Sequence, residues 1–404
     1  MKVIIIGGGA SGLSAAVCAG RCGADVTVLE SSSKAGRKIL ASGNGRCNLM
    51  NSGKPVYFGD ARFAENLITN HKSRLTAFFD SIGLALAEED SGRGYPATGR
   101  ARDVLETLLD AAERCGVSIL YEKKATGISY EQGGQNSRFT VFCESGERYT
   151  ADRVIVCCGG MAGLHLGHDG SAYSLLSESG HRLIAPRPAL AAIDCVKKLP
   201  ETLDGLRCPA RLTLTRGEKI IAVTAGEVLF STRGISGVCA MQLGSEVTGR
   251  DETVYIDFSP IFFPEQRKYE RCSPPYSPLL SNEKAVTALL EKRKAQFGAE
   301  NMLTGLLPGP LARIFSHLPF DRAVRSVCAW PLSVKGNRGM DGAQVTRGGI
   351  DTDAFTPDTC ESLLQKGLYA CGEVLNVDGD CGGFNLQFAF LCGILAGTDA
   401  ARNK

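Results

Sequence analysis

The first thirty residues constrain the fold of this chain more than any other segment. Residues 3–6 are a short apolar run, typical of a central parallel strand that is buried on both faces. Gly7, Gly9 and Gly12 follow in the spacing G-x-G-x-x-G. The first glycine permits a tight turn, the second lets the backbone approach a pyrophosphate, and the third lets a helix pack close to the strand. The segment therefore predicts a strand, a glycine turn and a helix over residues 11–23.

An acidic residue at the end of the next strand supports the same interpretation. Glu30 lies 18 residues after Gly12, where its carboxylate can accept hydrogen bonds from a ribose hydroxyl. Ser11 opens the helix, and the free N–H groups at its start, with Ala10 just before it, would face the phosphates. We therefore predict a dinucleotide site; the alternative is a structural glycine-rich turn. NAD, NADP and FAD all carry the adenosine diphosphate that this unit would bind.

The C-terminal part of the chain separates these cofactors. Residues 152–160 read as a buried strand that ends in two glycines, and residues 367–374 read as another that ends in Gly372 and Glu373. Residues 380–393 are a glycine-rich loop that enters a last helix. This order resembles the two-dinucleotide-fold flavoproteins. The resemblance implies that Glu373 holds the ribityl chain of FAD and that the last helix directs its N–H groups at the pyrimidine edge of the flavin.

A more specific match lies near the N-terminus. Residues 35–51 read AGRKILASGNGRCNLMN and look like the signature of the aminoacetone-oxidase-like flavoproteins, the family that includes the flavoprotein of bile-acid-inducible operons. Residues 226–237 and 345–350 also resemble that family, and the resemblance covers essentially the whole chain in order. It implies FAD as the cofactor.

The resemblance also implies the architecture, which is an α/β fold. A Rossmann-type FAD-binding domain, a parallel sheet with helices and a β-meander, is expected over residues 1–186 plus 336–404, with the meander in the alternating runs at residues 117–121, 138–143 and 149–157. A β-rich insert is expected over residues 187–262, where residues 211–215, 219–223, 227–230 and 253–258 read as short strands, and a small helical subdomain over residues 263–335. Residues 260–280 read as a loop, and Asn282 is expected to cap a helix over residues 283–297. A chain of 404 residues exceeds what one hydrophobic core normally serves, so several domains are expected.

The same resemblance implies a set of cofactor contacts. Ser31 would meet the adenosine end, while the cations Arg37 and Lys38 would reach the pyrophosphate or its surroundings, unless they form a solvated basic turn. Ala125 would read adenine through its backbone. The remaining predicted contacts are Ser42, Asn44, Gly45, Arg46, Cys47, Asn48, Cys158, Gly159, Gly160, Gly372, Glu373, Gly383, Phe384, Asn385 and Leu386.

Composition argues against several other functions. The net charge of +2 is too small to attract nucleic acid or an anionic membrane strongly. With a single Trp, the sequence also shows no basic stripe with interleaved aromatic residues, which would indicate a nucleic-acid-binding surface. No run of 18 apolar residues predicts a membrane span, and the N-terminus lacks the cleavage pattern of a secretion signal. The 16 cysteines are scattered without a C-x-x-C pair, which favours a reducing cytoplasm.

Two further groups have an open interpretation. His165, His168, Asp169 and His181 could chelate a metal, but no Cys or Glu completes a convincing set, so we predict no metal site. Tyr95 and Arg100 could face a substrate, or could belong to an exposed turn.

Flavin itself performs hydride transfer, so catalytic side chains need not form a motif. Candidates near the ring are Asn44, Arg46, Cys47, Arg347, Asp380 and Asn385, and the sequence assigns no catalytic acid or base. Cys47 lacks the second cysteine of a disulfide reductase, which favours a positioning role.

Three functional classes remain. The favoured one is a reductase of a conjugated carbonyl compound, with a steroid-like small molecule as one candidate. NADH or NADPH would charge its flavin; because no second G-x-G-x-x-G is visible, the donor would bind transiently over the flavin. The second is an amine oxidase of the aminoacetone type that uses dioxygen. The third is a non-enzymatic, flavin-dependent RNA-modification or regulatory partner, which the nearly neutral charge disfavours. The sequence does not predict the oligomeric state.

Overall fold

The computed structural model describes residues 1–89, 92–131, 138–166, 170–263 and 279–402. The chain divides into two compact units, Met1–Arg187 with Val345–Lys404, and Pro188–Gln344. The helices are α1 Ala10–Arg21, α2 Arg37–Ala41, α3 Ala61–Ile82, α4 Ala101–Arg114, α5 Ser174–Ser177, α6 Val238–Gly244, α7 Glu283–Phe297, α8 Gly309–Ser316, α9 Phe320–Ala329, α10 Gly339–Gly342 and α11 Phe384–Ala400. The strands are β1 Lys2–Ile6, β2 Asp25–Leu29, β3 Met50–Asn51, β4 Tyr57–Gly59, β5 Leu86–Glu88, β6 Arg93–Pro96, β7 Ser118–Leu120, β8 Ala125–Glu131, β9 Arg138–Cys143, β10 Arg148–Ala151, β11 Arg153–Val156, β12 Leu183–Ala191, β13 Ile193–Cys195, β14 Arg207–Arg216, β15 Lys219–Ser231, β16 Gly234–Ser236, β17 Glu252–Asp257, β18 Trp330–Asn337, β19 Ala343–Ile350, β20 Leu368–Ala370 and β21 Val377–Gly379.

The first unit is built on a five-stranded parallel sheet in the order β20-β11-β1-β2-β7. Strand β1 lies in the middle, with Ile5 opposite Val28 of β2 and Ile155 of β11. Ile5 is fully buried, as expected for an apolar strand covered on both faces. This arrangement confirms the predicted α/β fold with a Rossmann-type parallel sheet.

One of the three predicted runs, residues 138–143, is the central strand β9 of the β-meander, but the other two runs are placed differently in whole or in part. Strands β8, β9 and β10 form the antiparallel sheet, whereas the run at residues 117–121 supplies β7 of the parallel sheet. The run at residues 149–157 is split at Asp152, whose carboxylate accepts a hydrogen bond from the Lys2 amide, so that only its second half, β11, joins the parallel sheet. Alternating hydrophobicity locates strands, but it does not say which sheet they join.

Helices α1 and α11 pack so closely that glycines of α11 lie directly against the backbone of α1. A Cβ placed on Gly393 would lie 2.1 Å from the Ser11 carbonyl oxygen, and one on Gly397 would lie 2.2 Å from the Ala15 carbonyl oxygen. The Ser14 hydroxyl donates to the Phe390 carbonyl across the same contact, at 3.1 Å. Small residues on both helices therefore bring the N-terminal and C-terminal helices of this unit together.

The second unit contains a closed barrel in the order β13-β16-β15-β14-β17-β18. Helices α7, α8 and α9 share one hydrophobic core with this barrel, through residues such as Leu290, Phe315 and Val327. The predicted return to the cofactor domain at residue 336 falls inside the barrel strand β18, and the first unit resumes at Val345.

Several local predictions for this unit need correction. The strands predicted at 219–223 and 227–230 are one continuous strand, β15. Asn282 occupies the N-cap position of α7, yet its side chain does not cap the helix, because its Nδ2 donates to the Ser259 hydroxyl at 2.6 Å. The loop predicted over residues 260–280 lies mostly outside the described residues. Among the helices that are described, none has the length and apolar character that a membrane span requires.

We expect Gly393→Ala to destabilise the first unit, because its new methyl group would meet backbone of α1 that cannot move aside. The cost should be about 1–3 kcal/mol of unfolding free energy, measured by urea titration. Gly127→Ala is the matched control, since a Cβ there would meet only the Phe142 ring at an ordinary 3.7 Å. Equal stability of the two variants would contradict the close contact of α1 and α11.

Candidate cofactor site

The three glycines after β1 have different environments. Gly7 has a φ of +105° and a Cβ there would lie 2.5 Å from the Cys157 carbonyl oxygen, while a Cβ on Gly12 would lie 1.8 Å from the Gly7 carbonyl oxygen. By contrast, a Cβ on Gly9 would meet no atom within 4 Å. Gly7 and Gly12 are thus required by protein packing, whereas Gly9 borders open space in front of α1. No side chain caps α1, so the first N–H groups of the helix, beginning at Ala10, are available to an anion.

Glu30 ties this turn to the end of β2. Its carboxylate accepts hydrogen bonds from the Gly8 amide at 2.8 Å, from the Ser32 amide at 2.8 Å and from the Ser31 hydroxyl at 3.4 Å. The residue is 9% exposed. A carboxylate offers about four lone-pair sites, so these contacts orient Glu30 and leave capacity for a ribose hydroxyl. Ala125, predicted to read adenine, is the buried first residue of β8.

The signature loop that follows α2 has an unusual backbone. Gly43 and Gly45 have positive φ angles, and so do two residues with side chains, Asn44 at +54° and Cys47 at +58°. Such conformations cost free energy and persist where the surrounding structure enforces them, often at functional sites. The Ser42 carbonyl accepts the Cys47 amide at 3.1 Å, which closes the turn.

Cys47 itself is fully buried. Burial raises the pKa of its thiol to about 11, despite the hydrogen bond with Ser42. The side chain is therefore a protonated thiol at neutral pH rather than a nucleophilic thiolate. This state agrees with the positioning role that the sequence favours.

The predicted ring neighbour Arg46 points its charge at other protein groups. Its guanidinium lies 4.0 Å from the centre of the Tyr95 ring and 2.9 Å from the Glu89 carboxylate. Tyr95 is buried beneath it, whereas Arg100 is exposed and lies 3.9 Å from Asp103. Tyr95 and Arg100, the two candidate substrate contacts, therefore have quite different exposure.

Glu373 is the centre of a polar cluster that links the signature loop to the C-terminal strand region. Its Oε2 accepts from the Lys38 ammonium at 2.5 Å, and its Oε1 accepts from the Thr346 amide at 2.9 Å. Burial alone would raise the pKa of the Glu373 carboxyl, but the Lys38 charge and the hydrogen bonds from Thr346 lower it overall. Glu373 is thus held as a carboxylate. Arg37, the neighbouring cation, instead donates to the His165 carbonyl at 3.3 Å.

Thr346 and Gly160 extend this cluster to the end of β11. The Thr346 hydroxyl oxygen accepts from the Met161 and Ala162 amides, each at 2.8 Å. A Cβ on Gly160 would lie 2.5 Å from that oxygen and 2.8 Å from Glu373 Oε1, so only glycine leaves this space free. Just before it, Gly159 has a φ of +74°, and Cys158 is held by a contact of its Sγ with the Ile6 carbonyl at 3.5 Å.

The start of α11 lies against Asn48 and Met50, which belong to the signature segment of the same unit. Gly383, its N-cap, has a φ of +104°, and a Cβ there would lie 2.5 Å from the Met50 carbonyl oxygen and 2.6 Å from Asn48 Oδ1. No side chain caps the helix. The Asn385 side chain accepts a hydrogen bond from the Gly379 amide at 2.7 Å through Oδ1 and donates one to the Gly379 carbonyl at 2.8 Å through Nδ2. The helix start is therefore fixed by side chains that leave its first N–H groups open. Phe384 packs edge-on against Tyr57, and Leu386 packs partly buried on the core.

Two partners of Arg347, Asp378 and Phe58, were not predicted from the sequence. Asp378 accepts hydrogen bonds from Arg347 Nε at 2.9 and 3.1 Å, in an ion pair whose two side chains are both nearly buried. The Arg347 guanidinium also lies 4.4 Å from the centre of the Phe58 ring. Arg347 was a candidate from its motif, but its partners come from β21 and β4, which are distant in the sequence, so no local signal identifies them.

The site residues fit a cofactor that carries phosphates and hydroxyl groups. Gly9 faces open space, two helices begin without side-chain caps, and Glu373 presents a charged oxygen beside Gly160. Two buried polar atoms of the described residues, Asn48 Oδ1 and Tyr173 Oη, have no hydrogen-bond partner. Unpaired buried polar atoms are costly unless a ligand satisfies them.

The histidines considered as metal ligands are not gathered into such a site by the described part of the chain. His181 is buried and stacked on Phe355, with Nδ1 3.1 Å from the Leu176 carbonyl and Nε2 2.8 Å from the Ser362 hydroxyl. Burial lowers its pKa, which suits a neutral structural imidazole. His168 and Asp169 lie outside the described residues, and no group of three or more metal-binding side chains is found in the rest.

Comparison with known proteins identifies the family of the chain. A family model described as the HI0933-like protein Rossmann domain matches residues 1–399. The chain is 35% identical to the 3-dehydro-bile acid delta(4,6)-reductase of Clostridium scindens, over 99% of each chain. It is 28% identical to the ribosomal RNA dihydrouridine synthase of Haemophilus influenzae, over 96% of this chain and 95% of that one.

Among solved structures, the 3-ketosteroid-delta4-(5alpha)-dehydrogenase of Rhodococcus jostii RHA1 superposes with a TM-score of 0.54 at 16% identity, over 99% of this chain and 96% of that one. This likeness concerns the fold. The chain belongs to the HI0933-like Rossmann family and is an FAD-dependent oxidoreductase. The family resemblance read from residues 35–51 is confirmed, and so is FAD as the cofactor.

Gly9→Val should separate cofactor binding from folding. A Cβ at this position meets no protein atom within 4 Å, so the apoprotein should keep its unfolding free energy to within about 0.5 kcal/mol. The same side chain would occupy the approach to α1, and the variant should purify without FAD, as judged by its visible absorbance. Gly12→Val is the contrasting variant, because it should disrupt the fold itself. Stoichiometric FAD in Gly9→Val would refute the placement of the phosphates.

Lys38→Met should destabilise the apoprotein at neutral pH, because it leaves the Glu373 carboxylate without its cation. The expected loss is about 1–3 kcal/mol. Since the folded-state pKa of Glu373 is lowered from 4.5, the wild-type gain is present above pH 4.5 and is lost as the pH falls below it.

The difference between wild type and Lys38→Met in urea titrations should therefore shrink towards acid pH. Adding Glu373→Gln should recover most of the stability at neutral pH, because no charge is left unpaired. Arg37→Met is the control, with a cation removed from the same helix but no carboxylate partner broken. A pH-independent difference would exclude the ion pair as its cause.

Proposed function

We propose that this HI0933-like flavoprotein is a reductase that delivers hydride to a carbon–carbon double bond conjugated with a carbonyl group, in a steroid-like small molecule. The observation that carries the proposal is the 35% identity, over 99% of both chains, with a protein named as a 3-dehydro-bile acid delta(4,6)-reductase. Such identity along the whole length includes the barrel unit as well as the cofactor unit.

The chemistry named for a second relative supports the reaction class. Dihydrouridine, the product named for the Haemophilus influenzae protein, differs from uridine by saturation of a double bond next to a carbonyl. A 3-oxo compound with a double bond at position 4 presents the same conjugated arrangement. We infer that reduction of this arrangement is the common reaction, and that the substrate differs.

The residues of the site suit this chemistry. Bound FAD supplies the two-electron hydride chemistry. The uncapped start of α11 offers N–H groups and a positive helix end to an electron-rich edge. Glu373 and Lys38 supply a neutral pair, so the cluster fixes hydroxyl groups without adding net charge. Cys47 is a free thiol and therefore already reduced, so it has no disulfide through which to take electrons from the flavin.

We propose NADH or NADPH as the electron donor, bound transiently over the flavin, because the sequence has one G-x-G-x-x-G fingerprint and we assign it to FAD. We also propose a reducing cytoplasm as the location. The cysteines in the described residues are free thiols, which is the state that such a compartment maintains.

A dihydrouridine synthase is the second candidate function. The 28% identity over 96% of this chain favours it. The net charge of +2 offers little of the electrostatic attraction on which binding to the phosphates of RNA depends, and we therefore rank it second.

Anaerobic stopped-flow absorbance at the flavin band tests the proposal. NADH or NADPH should bleach the purified protein, and a 3-oxo steroid with a double bond at position 4 should restore the colour with formation of the saturated product. Saturated steroid lacking the double bond is the control acceptor and should leave the protein bleached.

The alternatives give different results in the same instrument. Recolouring by a uridine-containing ribosomal RNA fragment but not by the steroid would favour the dihydrouridine synthase. Bleaching by aminoacetone, with neither NADH nor NADPH active, would favour the amine oxidase. Either result would overturn the proposed reductase.

A further inference from the structure

The hydroxyl group of Tyr173 is a buried polar group that the folded chain leaves unused. Tyr173 is 4% exposed and its Oη has no hydrogen-bond partner in the described structure. It lies one residue before α5, in a turn whose Gly170 has a φ of +77°. A phenol hydroxyl can donate one hydrogen bond and also accept, and leaving it unpaired costs about 1–3 kcal/mol. A buried hydroxyl without a partner in the protein is therefore a candidate for a hydrogen bond with a ligand.

The polar neighbours of this hydroxyl are already committed to other partners. Burial and the nearby Glu373 carboxylate raise the pKa of Tyr173, while the Thr346 hydroxyl lowers it by less. Thr346 is therefore close to Tyr173, but its oxygen accepts the Met161 and Ala162 amides, each at 2.8 Å. Glu373 is held by the Lys38 ammonium at 2.5 Å. Neither neighbour gives Tyr173 a hydrogen bond of proper geometry.

A glycine, Gly160, lies at the edge of the same polar cluster. A Cβ on Gly160 would lie 2.5 Å from the Thr346 hydroxyl oxygen and 2.8 Å from Glu373 Oε1. Glycine at this point keeps a gap beside two polar oxygens. The unpaired phenol of Tyr173, the Glu373 carboxylate and the space beside Gly160 together suit a ligand that carries hydroxyl groups.

We propose that Tyr173 is a cofactor-binding residue whose hydroxyl pairs with a hydroxyl of the ribityl chain of FAD. A polyol fits because each of its hydroxyls both donates and accepts, and so can satisfy a phenol and a carboxylate in turn. A phosphate diester does not fit, because its oxygens only accept hydrogen bonds and the Glu373 carboxylate has no hydrogen to donate to them. The inference rests on FAD binding and is independent of which substrate the enzyme reduces.

Tyr173→Phe tests the proposal through cofactor binding and stability rather than activity. FAD is titrated into the apoprotein and its dissociation constant is read from flavin fluorescence; ADP is titrated in a parallel calorimetric experiment. The unfolding midpoint of the apoprotein is measured in urea. Tyr369→Phe is the matched control, because the Tyr369 hydroxyl is equally buried but donates to Asp399 at 2.9 Å.

Tyr173→Phe should weaken FAD binding about tenfold, leave ADP binding unchanged, and keep or raise the unfolding midpoint of the apoprotein. Tyr369→Phe should lower that midpoint and leave the FAD dissociation constant of the folded protein within about twofold. A loss of FAD affinity in Tyr173→Phe and a loss of stability in Tyr369→Phe would together show that the Tyr173 hydroxyl binds the cofactor and does not stabilise the fold.

Three results would overturn the proposal. An unchanged FAD dissociation constant in Tyr173→Phe would show that the hydroxyl does not bind the cofactor. An equal loss of ADP and FAD binding would place the contact in the ADP half. A lower unfolding midpoint, or failure to fold, would show that the hydroxyl has a partner in the protein. Because these measurements need no substrate, the proposed reductase activity could fail without affecting the outcome.

Discussion

Close approach of backbone to backbone is the constraint on which the cofactor unit depends. A Cβ on Gly12 would meet the Gly7 carbonyl oxygen at 1.8 Å, and one on Gly393 would meet the Ser11 carbonyl oxygen at 2.1 Å. The first contact seats α1 on the turn after β1, and the second seats α11 on α1. Because both helices begin without side-chain caps, this packing directs two sets of free N–H groups into one unit. The glycine turn after β1 and the start of α11 therefore share one structural support.

A single buried carboxylate then joins distant parts of the chain. Glu373 receives hydrogen bonds from Lys38 in α2 and from Thr346 in β19. A buried ion pair contributes little to stability compared with a well-packed apolar contact, but breaking one partner is costly. The cluster is better explained by the ligand than by the fold, since the adjoining Tyr173 hydroxyl is left without a partner.

Much of the fold could be predicted because it is encoded locally. The glycine spacing after residues 3–6, the acid at Glu30 and the helix Glu283–Phe297 all appear in the structure where the sequence indicates them. What failed was assignment between neighbouring sheets: the run at residues 117–121 joins the parallel sheet, although it alternates like a meander strand. Strand pairing depends on the whole sheet, and a period of two residues carries no information about the partner.

The sequence by itself determined the cofactor class, because the turn that binds a pyrophosphate needs glycine at fixed positions within a few residues. The tertiary structure alone decided the use of each polar group. Lys38 and Arg37 are adjacent cations, yet only Lys38 reaches Glu373; Arg347 pairs with Asp378 of β21; and Tyr173 is left unpaired. These outcomes depend on distances between segments far apart in the chain, which the order of residues does not contain until the helices and strands have packed.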